Sequence, residues 1–216
     1  MRYVFLSDAH GQSSILRQVL DQVAGDHIDT IITLGDMGSD PCYDMLRAAS
    51  ARGTFGNCEV SGYGRLSPQN QAFVLGLPPL FSGDDFLAAH AVLRYPAGLF
   101  NVLDFAQYMR KTQVSWRTLF PYPDEEDRAL WDIYAELEKR GKHLFFHGHT
   151  HRQQVWIAPP YGHPRKCLDK RLPLQAGTLY VVGVGSVGQP QDSPFPAYVI
   201  YDDCLSEVEL RRLPQM

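Results

Sequence analysis

The chain predicts an α/β fold in which two mixed β-sheets pack face to face with helices outside. Three observations predict it. The first part of the 216 residues alternates β and α signals, and the last third is rich in β-runs with no convincing helix. In addition, five short apolar runs each stop at side chains that bind metals: Asp8 and His10, Asp36, Asn57, His90, and then His149 and His151. Alternation favours parallel strands, and runs of consecutive β-segments favour antiparallel ones. The third pattern points to an active site, because strands of an open α/β sheet deliver functional groups from their C-terminal ends into one crevice.

The elements follow in order. Residues 2–7 read as a buried strand, and 13–24 place Ile15, Leu16, Val19, Leu20 and Val23 at helical spacing behind a Ser13 or Ser14 cap. Ile28 to Leu34 is a β-branched run ending at Gly35-Asp36; residues 42–51 form a short helix after Pro41; Gly53 to Phe55 is a brief strand ending at Gly56-Asn57. Residues 60–84 are rich in Gly, Pro and polar side chains, with a short helix or turn near Gln69–Leu75, and Asp85–Ala89 leads as a strand into His90. A helix over 125–140 opens on the acidic run Asp124-Glu125-Glu126 and closes on Lys139-Arg140-Gly141, charges placed as the helix dipole favours. Its apolar face, Leu130, Ile133, Tyr134 and Leu137, is expected to pack on a sheet. His143–Phe146 is the strand before His147-Gly148-His149-Thr150-His151, and strands follow at Gln154–Ile157, Thr178–Val184, Pro196–Tyr201 and Val208–Arg211.

Length and composition bound the class. With 44% hydrophobic and 20% charged residues, 1–216 fits one globular domain, with a cap-like elaboration over 92–142, where the chain between two donor-bearing strands is longer than the connection requires. No run approaches the ~20 apolar residues of a membrane span. The sequence enters a strand at once without a charged leader, so a cytoplasmic location is expected. Cys42, Cys58, Cys167 and Cys204 lack C-x-x-C spacing and are expected to be reduced thiols. A net charge of -4 gives no general attraction to nucleic acid or anionic membrane.

Mixed imidazole nitrogen and carboxylate oxygen suit divalent transition metals, whereas calcium recruits mostly oxygen. Asp8 and His10 alternate by two, as do His149 and His151, so an extended backbone would aim each pair the same way. Taken singly, each position also has a plain structural role. Asp8 could cap a helix, Asp36 and Asn57 could make turns, and His90 could be a satisfied core histidine.

The ordered set Asp8-x-His10, Gly35-Asp36, Gly56-Asn57, His90 and Gly148-His149-x-His151 resembles the calcineurin-like metallophosphoesterase superfamily. The Gly56-Asn57-Cys58-Glu59 block and the Gly183–Pro190 segment are similar to its small bacterial phosphodiesterase and diadenosine-tetraphosphatase-like members. The resemblance implies a four-layer α/β/β/α sandwich and two divalent cations (manganese, iron, zinc or nickel). It implies that Asp8, His10 and His151 hold one cation, that Asn57, His90 and His149 hold the other, and that Asp36 bridges them. It further implies hydrolysis by a hydroxide bridging the two ions, with Asp36, Asn57 and His90 acting through the metals.

One position departs from the family pattern. Many members carry a histidine after the asparagine as donor to the leaving oxygen, and here that residue is Cys58, a weak hydrogen-bond donor. Arg152, His147 and Arg94 are candidate substrate contacts, with Arg65 a further candidate for phosphate and Arg152 best placed by its adjacency to His151. The aromatics Tyr95, Phe100, Phe105, Tyr108, Trp116 and Tyr122 either stack a base or pack the cap. The leading expectation is an enzyme that hydrolyses a phosphodiester or phosphoanhydride in a small or nucleotide-like molecule. The alternatives are a phosphomonoesterase or protein phosphatase and, on the same fold, a non-catalytic protein-binding scaffold.

Overall fold

The structure is a computed structural model and describes residues 1–123, 127–167 and 169–214. In chain order the elements are β1 (Arg2–Leu6), α1 (Ser13–Ala24), β2 (Thr30–Thr33), α2 (Asp40–Ala48), β3 (Arg52–Gly53), α3 (Asn57–Gly62), α4 (Pro68–Leu75), β4 (Phe81–Ser82), β5 (Phe86–Ala89), α5 (Val102–Thr112), α6 (Trp116–Leu119) and α7 (Asp127–Lys139). They continue with β6 (Leu144–His147), β7 (Gln153–Ala158), β8 (Arg165–Cys167), β9 (Arg171–Pro173), β10 (Leu179–Val184), β11 (Ala197–Asp202) and β12 (Glu207–Arg212).

The strands form two six-stranded sheets, ordered β3-β2-β1-β11-β12-β9 and β4-β5-β6-β10-β7-β8. Both are mixed: β1, β2 and β3 run parallel while β11 returns antiparallel on β1, and β5, β6 and β10 run parallel while β7 is antiparallel to β10. Thus the antiparallel pairing expected of the last third holds for β7, β8, β9, β11 and β12, but β10 joins β6 in parallel.

Apolar periodicity explains the layers. Phe5, Phe86, Phe146, Val182 and Tyr201 fill the space between the sheets, with Phe5 and Phe146 stacked at 3.9 Å between ring centres. On the outer face of the first sheet Leu16, Val19 and Val23 of α1 and Leu46 of α2 pack with Val4, Leu6 and Ile200. On the outer face of the second, Leu130, Ile133, Tyr134 and Leu137 of α7 pack on Phe145 and Val181. The result is helix, sheet, sheet, helix.

The short second helix begins at Asp40 rather than 42, because Pro41 takes a first-turn position where its missing N–H costs nothing. The acidic start expected for α7 at Asp124, Glu125 and Glu126 lies outside the described residues. Helices α3, α5 and α6 and strands β4, β8 and β9 are additions to the sequence reading. Helix α5 carries a capping box in which Asn101 Oδ1 accepts from Leu103 N (2.9 Å) and Asp104 N (3.2 Å) while Asp104 accepts from Asn101 N (3.1 Å). Within 92–142, α5 and α6 join the core beside His90 through Phe105, Leu119 and Phe120, whereas α7 is the outer layer of the second sheet. No helix among the described residues is long and apolar enough to cross a membrane.

Candidate metal centre

Strand ends from both sheets meet at one place. Parallel registers set Leu6 beside Thr33 in the first sheet and Ala89 beside His147 in the second, so the loops after β1, β2, β5 and β6 leave side by side. Backbone bonds continue the ladder past the strands: Asp8 N donates to Gly35 O (3.0 Å), His10 N to Asp36 O (3.0 Å), and Gly148 N to His90 O (3.0 Å). Two bonds tie the sheets together at the site, His149 N to Asp8 Oδ2 (2.9 Å) and His90 Nδ1 to Leu34 O (2.8 Å).

The backbone here corrects the sequence reading. Asp8, His10, His149 and His151 do not converge through period-two alternation of an extended strand, since β1 ends at Leu6 and β6 at His147. They adopt left-handed conformations instead, with φ of 55°, 46°, 65° and 56°, and Asp36 does the same at 55°. Each such residue costs on the order of 1–2 kcal/mol, and Asp and His are among the side chains that tolerate the region best. Strain of this kind gathers at functional sites where the surroundings over-determine it. Here those surroundings include glycines with no room for a side chain. A Cβ at Gly56 would collide with Asp36 Oδ1 and stand 2.7 Å from His90 Cε1; one at Gly148 would collide with Ser7 Oγ and stand 2.7 Å from Asp8 Oδ2.

The chemistry of the assembled atoms is unusual in being almost all lone pairs. His151 Nδ1 donates to Gln189 O (2.7 Å), which leaves the neutral ring's Nε2 as an acceptor; it lies 3.3 Å from Asp8 Oδ1 and 3.1 Å from His10 Nε2. Asp8 Oδ1 is buried and has no hydrogen-bond partner. His90 Nδ1 is committed to Leu34 O, so its Nε2 presents a lone pair 3.0 Å from Asn57 Oδ1 and 3.6 Å from Asp36 Oδ1. Asp36 Oδ2 faces the other way, 3.9 Å from His10 Nε2. Its carboxylate therefore spans two acceptor clusters, Asp8–His10–His151 and Asn57–His90. Acceptors cannot satisfy one another, so the arrangement calls for cations or protons between them. This donor set fits divalent transition metals.

His149 stands apart from these close groups. Its Nε2 donates to Phe120 O (2.7 Å), its ring centre is 4.8 Å from that of His90, and Nδ1 is the atom it has left to offer.

The electrostatics agree. Burial opposes ionisation of Asp8, but the imidazoles of His10, His151 and His90 gathered around it hold it well below the usual carboxylate range. Burial pushes Asp36 up to about 6, with Glu59 and Asp8 adding to the rise and His90 opposing it. For His10 and His151 burial works downward, yet the Asp8 carboxylate wins and both are raised. Burial and His90 lower His149 to about 3. Cys58, half-buried beside Asp36, has its thiol pushed well up by burial and by that carboxylate, and so stays protonated.

Of the candidate substrate contacts, His147 is fully buried against Phe145 and opposite Gly183, so it does not face the site's opening. Arg152 is exposed just before β7, and Arg94, which lines an adjoining cavity, pairs with Glu136 at 3.8 Å. The arginine that shares a cleft with cluster residues is Arg65: it lines a cavity of about 540 Å³ with His10, Ser39, Asp40, Cys58 and Ser61. A second cavity, about 490 Å³, carries His149 with Trp116, Arg117, Phe120 and Tyr122. Of the candidate stacking aromatics, Phe105 and Tyr95 pack in the core against Phe120, while Trp116 and Tyr122 face His149.

Sequence reasoning missed the role of Glu59. This buried carboxylate accepts from Asp36 N (2.8 Å), Gly56 N (2.7 Å), Met37 N (3.0 Å) and the Tyr43 hydroxyl, thereby fixing the loops that present Asp36 and Asn57. The signal for it was its place three residues after Gly56, the third position of α3, where a carboxylate reaches back to the cap. The Gly185–Gly188 loop braces the end of β1: Val187 N donates to Ser7 O (2.9 Å), Gly188 N to Asp8 O (3.0 Å), and Ser186 Oγ to Asp8 O (2.7 Å).

A family model described as the calcineurin-like phosphoesterase superfamily domain matches residues 1–204. The chain belongs to that superfamily. Solved structures agree on the calcineurin-like fold. A metallophosphoesterase from Sphaerobacter thermophilus is 20% identical with a TM-score of 0.73, covering 100% of this chain and 90% of its own. An archaeal phosphodiesterase is 14% identical with a TM-score of 0.53, over 99% and 100% of the two chains. The Vps29 protein of Chaetomium thermophilum is 12% identical with a TM-score of 0.50, over 99% and 97%. Among curated proteins no sequence matches. At these identities the calcineurin-like neighbours speak to the fold alone.

Proposed function

We propose that this chain is a metal-dependent phosphoesterase that hydrolyses a phosphodiester or phosphoanhydride bond in a small or nucleotide-like molecule. The observation that carries the reading is Asp36 spanning two clusters of mutually unsatisfied acceptors, with one cleft opening at His10 and another at His149. Asp8, His10 and His151 would hold one divalent cation and Asn57, His90 and His149 the other, with Asp36 shared. When bound, such a pair supplies Lewis-acid neutralisation of phosphoryl charge and acidifies a water. The chain's own residues do the rest. Left-handed turns at Asp8, His10, Asp36, His149 and His151 aim the donors, Glu59 and Ser186 hold the loops, and Arg65 lines the polar cleft as an exposed phosphate contact. Cys58 lines the same cleft with a protonated thiol, a weak donor in place of the family's histidine.

Two clefts favour diesters or anhydrides over monoesters, since only the former carry substituents on both sides of the phosphorus. A complete donor set weighs against a scaffold, which is free to lose ligands. The test is metal analysis of protein purified without chelator, paired with a panel of monoesters, diesters and dinucleoside polyphosphates. We expect diester or anhydride turnover to exceed monoester turnover, and Asp36→Asn to lower both metal content and turnover by at least about a hundredfold in affinity or rate. Full metal content and turnover in Asp36→Asn would defeat the proposal.

A further inference from the structure

The two clefts beside the donor cluster differ in chemistry. The one that carries His10 is polar, lined by Ser39, Asp40, Ser61 and Arg65. The one that carries His149 is aromatic and cationic. Phe120 in it is already committed: the residue is buried, its carbonyl accepts from His149, and its ring packs on Phe105 and Tyr95. Trp116 and Tyr122 are not so committed. Trp116 is 36% exposed and stands edge-on to His149 at 5.7 Å between centroids; Tyr122 is 38% exposed and lies 4.7 Å from the same ring.

Their presentation is built into the backbone. Ser115 Oγ accepts from Thr118 N (3.3 Å), capping the four-residue helix α6 that carries Trp116 and Arg117 together. The Arg117 guanidinium sits 5.4 Å from the Trp116 ring centre. Two exposed aromatic rings and a planar cation thus gather within one cavity, and a metal-ligand candidate forms its wall.

We infer that the cleft of Trp116, Arg117 and Tyr122 seats the aromatic base of a nucleotide whose phosphate lies at the donor cluster. Every base offers a π-face, so stacking on rings and on a guanidinium plane recognises bases without demanding a sequence of hydrogen bonds. A volume of about 490 Å³ suits a small organic group. An alkyl group would be better matched by the adjoining cavity of Val92, Leu93, Tyr108, Leu119 and Ile133, which is more apolar and does not carry His149. The inference rests on the phosphoester reading above and names the substrate class for it.

The test is binding to the full chain loaded with Mn²⁺, followed by calorimetry or tryptophan fluorescence with adenosine 5′-monophosphate, ribose 5-phosphate and octyl phosphate. The first two share a phosphate and a sugar and differ by the base. We expect the nucleotide to bind about tenfold more tightly than the sugar phosphate, the size of a base-stacking contribution. In Trp116→Ala and Tyr122→Ala that ratio falls toward one, and in Trp116→Phe, which keeps a ring, most of it returns. Thermal midpoints and metal content of the variants show whether each is folded and loaded. Equal affinities in the unaltered protein would overturn the inference. So would a preference that survives the double alanine variant, or octyl phosphate binding more tightly than the nucleotide. Diester hydrolysis without any base preference removes this inference alone; a base preference that depends on Trp116, without hydrolysis of any ester, removes the phosphoesterase reading alone.

Discussion

Glu59→Gln removes one charge and changes one atom's hydrogen-bonding sense, and its effect can be worked from four contacts. Glu59 Oε2 accepts from Asp36 N and Gly56 N, and Oε1 from Met37 N and the Tyr43 hydroxyl. A glutamine keeps one acceptor oxygen. With its amide nitrogen on the Tyr43 side, the hydroxyl can turn and accept, but Met37 N is left buried without a partner, at a cost of about 1–3 kcal/mol. The remaining bonds lose the assistance of a formal charge, which roughly halves their strength. Together these give a destabilisation of about 3 kcal/mol, a large part of the 5–15 kcal/mol that holds a typical protein folded. For a chain of this length each kcal/mol moves the midpoint by about 2–4 °C, so a fall of about 6–12 °C is expected. Because the same carboxylate fixes Asp36 and Gly56, divalent-metal affinity is expected to drop about 10- to 100-fold. Urea unfolding of the metal-free protein reads the first quantity and metal titration reads the second. A Glu59→Gln protein within about 0.5 kcal/mol of the unaltered chain would refute the energetic argument. A destabilised protein with undiminished metal affinity would refute the positioning role.

Three further outcomes are expected. Gly148→Ala places a methyl group against Ser7 Oγ and Asp8 Oδ2, so about 1–3 kcal/mol of overpacking should appear together with loss of metal from the Asp8 cluster; undiminished metal content by elemental analysis would show that the loop can yield. Metal stabilisation should grow with pH. Asp36 is raised from 3.8 to about 6, so its contribution to metal-free stability is complete below 3.8 and lost as pH rises through about 6, and the raised His10 and His151 lose theirs at higher pH. The lowered His149 and Asp8 act in the opposite sense, their contributions being present above 6.5 and 3.8 respectively and lost as pH falls. A cation replaces the protons lost from Asp36, His10 and His151, so the rise in midpoint on adding Mn²⁺ should be larger at pH 8 than at pH 5.5; equal rises would contradict this. Finally, with only a protonated thiol at Cys58, hydrolysis of aryl phosphodiesters should slow steeply as leaving-group pKa rises, and Cys58→His should flatten the slope. A flat dependence in the unaltered protein would place the acid elsewhere.

Much of this was legible in the sequence, and the rest was hidden for identifiable reasons. The sandwich was legible because β1, β2, β6, β10 and β11 are apolar runs too short for helices, and α1 and α7 carry three-to-four spacing. The candidate donors stood out because each follows such a run. How they converge was not legible: a period of two suggests an extended chain, whereas left-handed φ at five of the seven positions is invisible to any pattern of polarity. Helix α5 was obscured because its stripe of Val102, Phe105 and Met109 is thin, though the Asn101–Asp104 capping box marks its start.

The arginines show the same limit more sharply. Arg152 looked best placed because it follows His151, but neighbours in sequence diverge when one of them turns left-handed: His151 at φ 56° faces Asp8, and the chain then enters β7 with Arg152 exposed. Arg65, remote from every donor in sequence except the Asn57–Cys58 pair, is brought alongside His10 because α3 and the turn of helix at Tyr63–Arg65 pack back across the cleft, with Ser67 N held by the Asp40 carboxylate at 3.0 Å. Arg65→Ala should therefore raise KM for phosphodiesters several-fold while Arg152→Ala leaves it nearly unchanged, as expected if the exposed arginine that lines the cleft makes the contact and the exposed one outside that lining does not. Steady-state kinetics on the two variants decides between placement by fold and placement by adjacency, and the reverse order would restore Arg152 to the site.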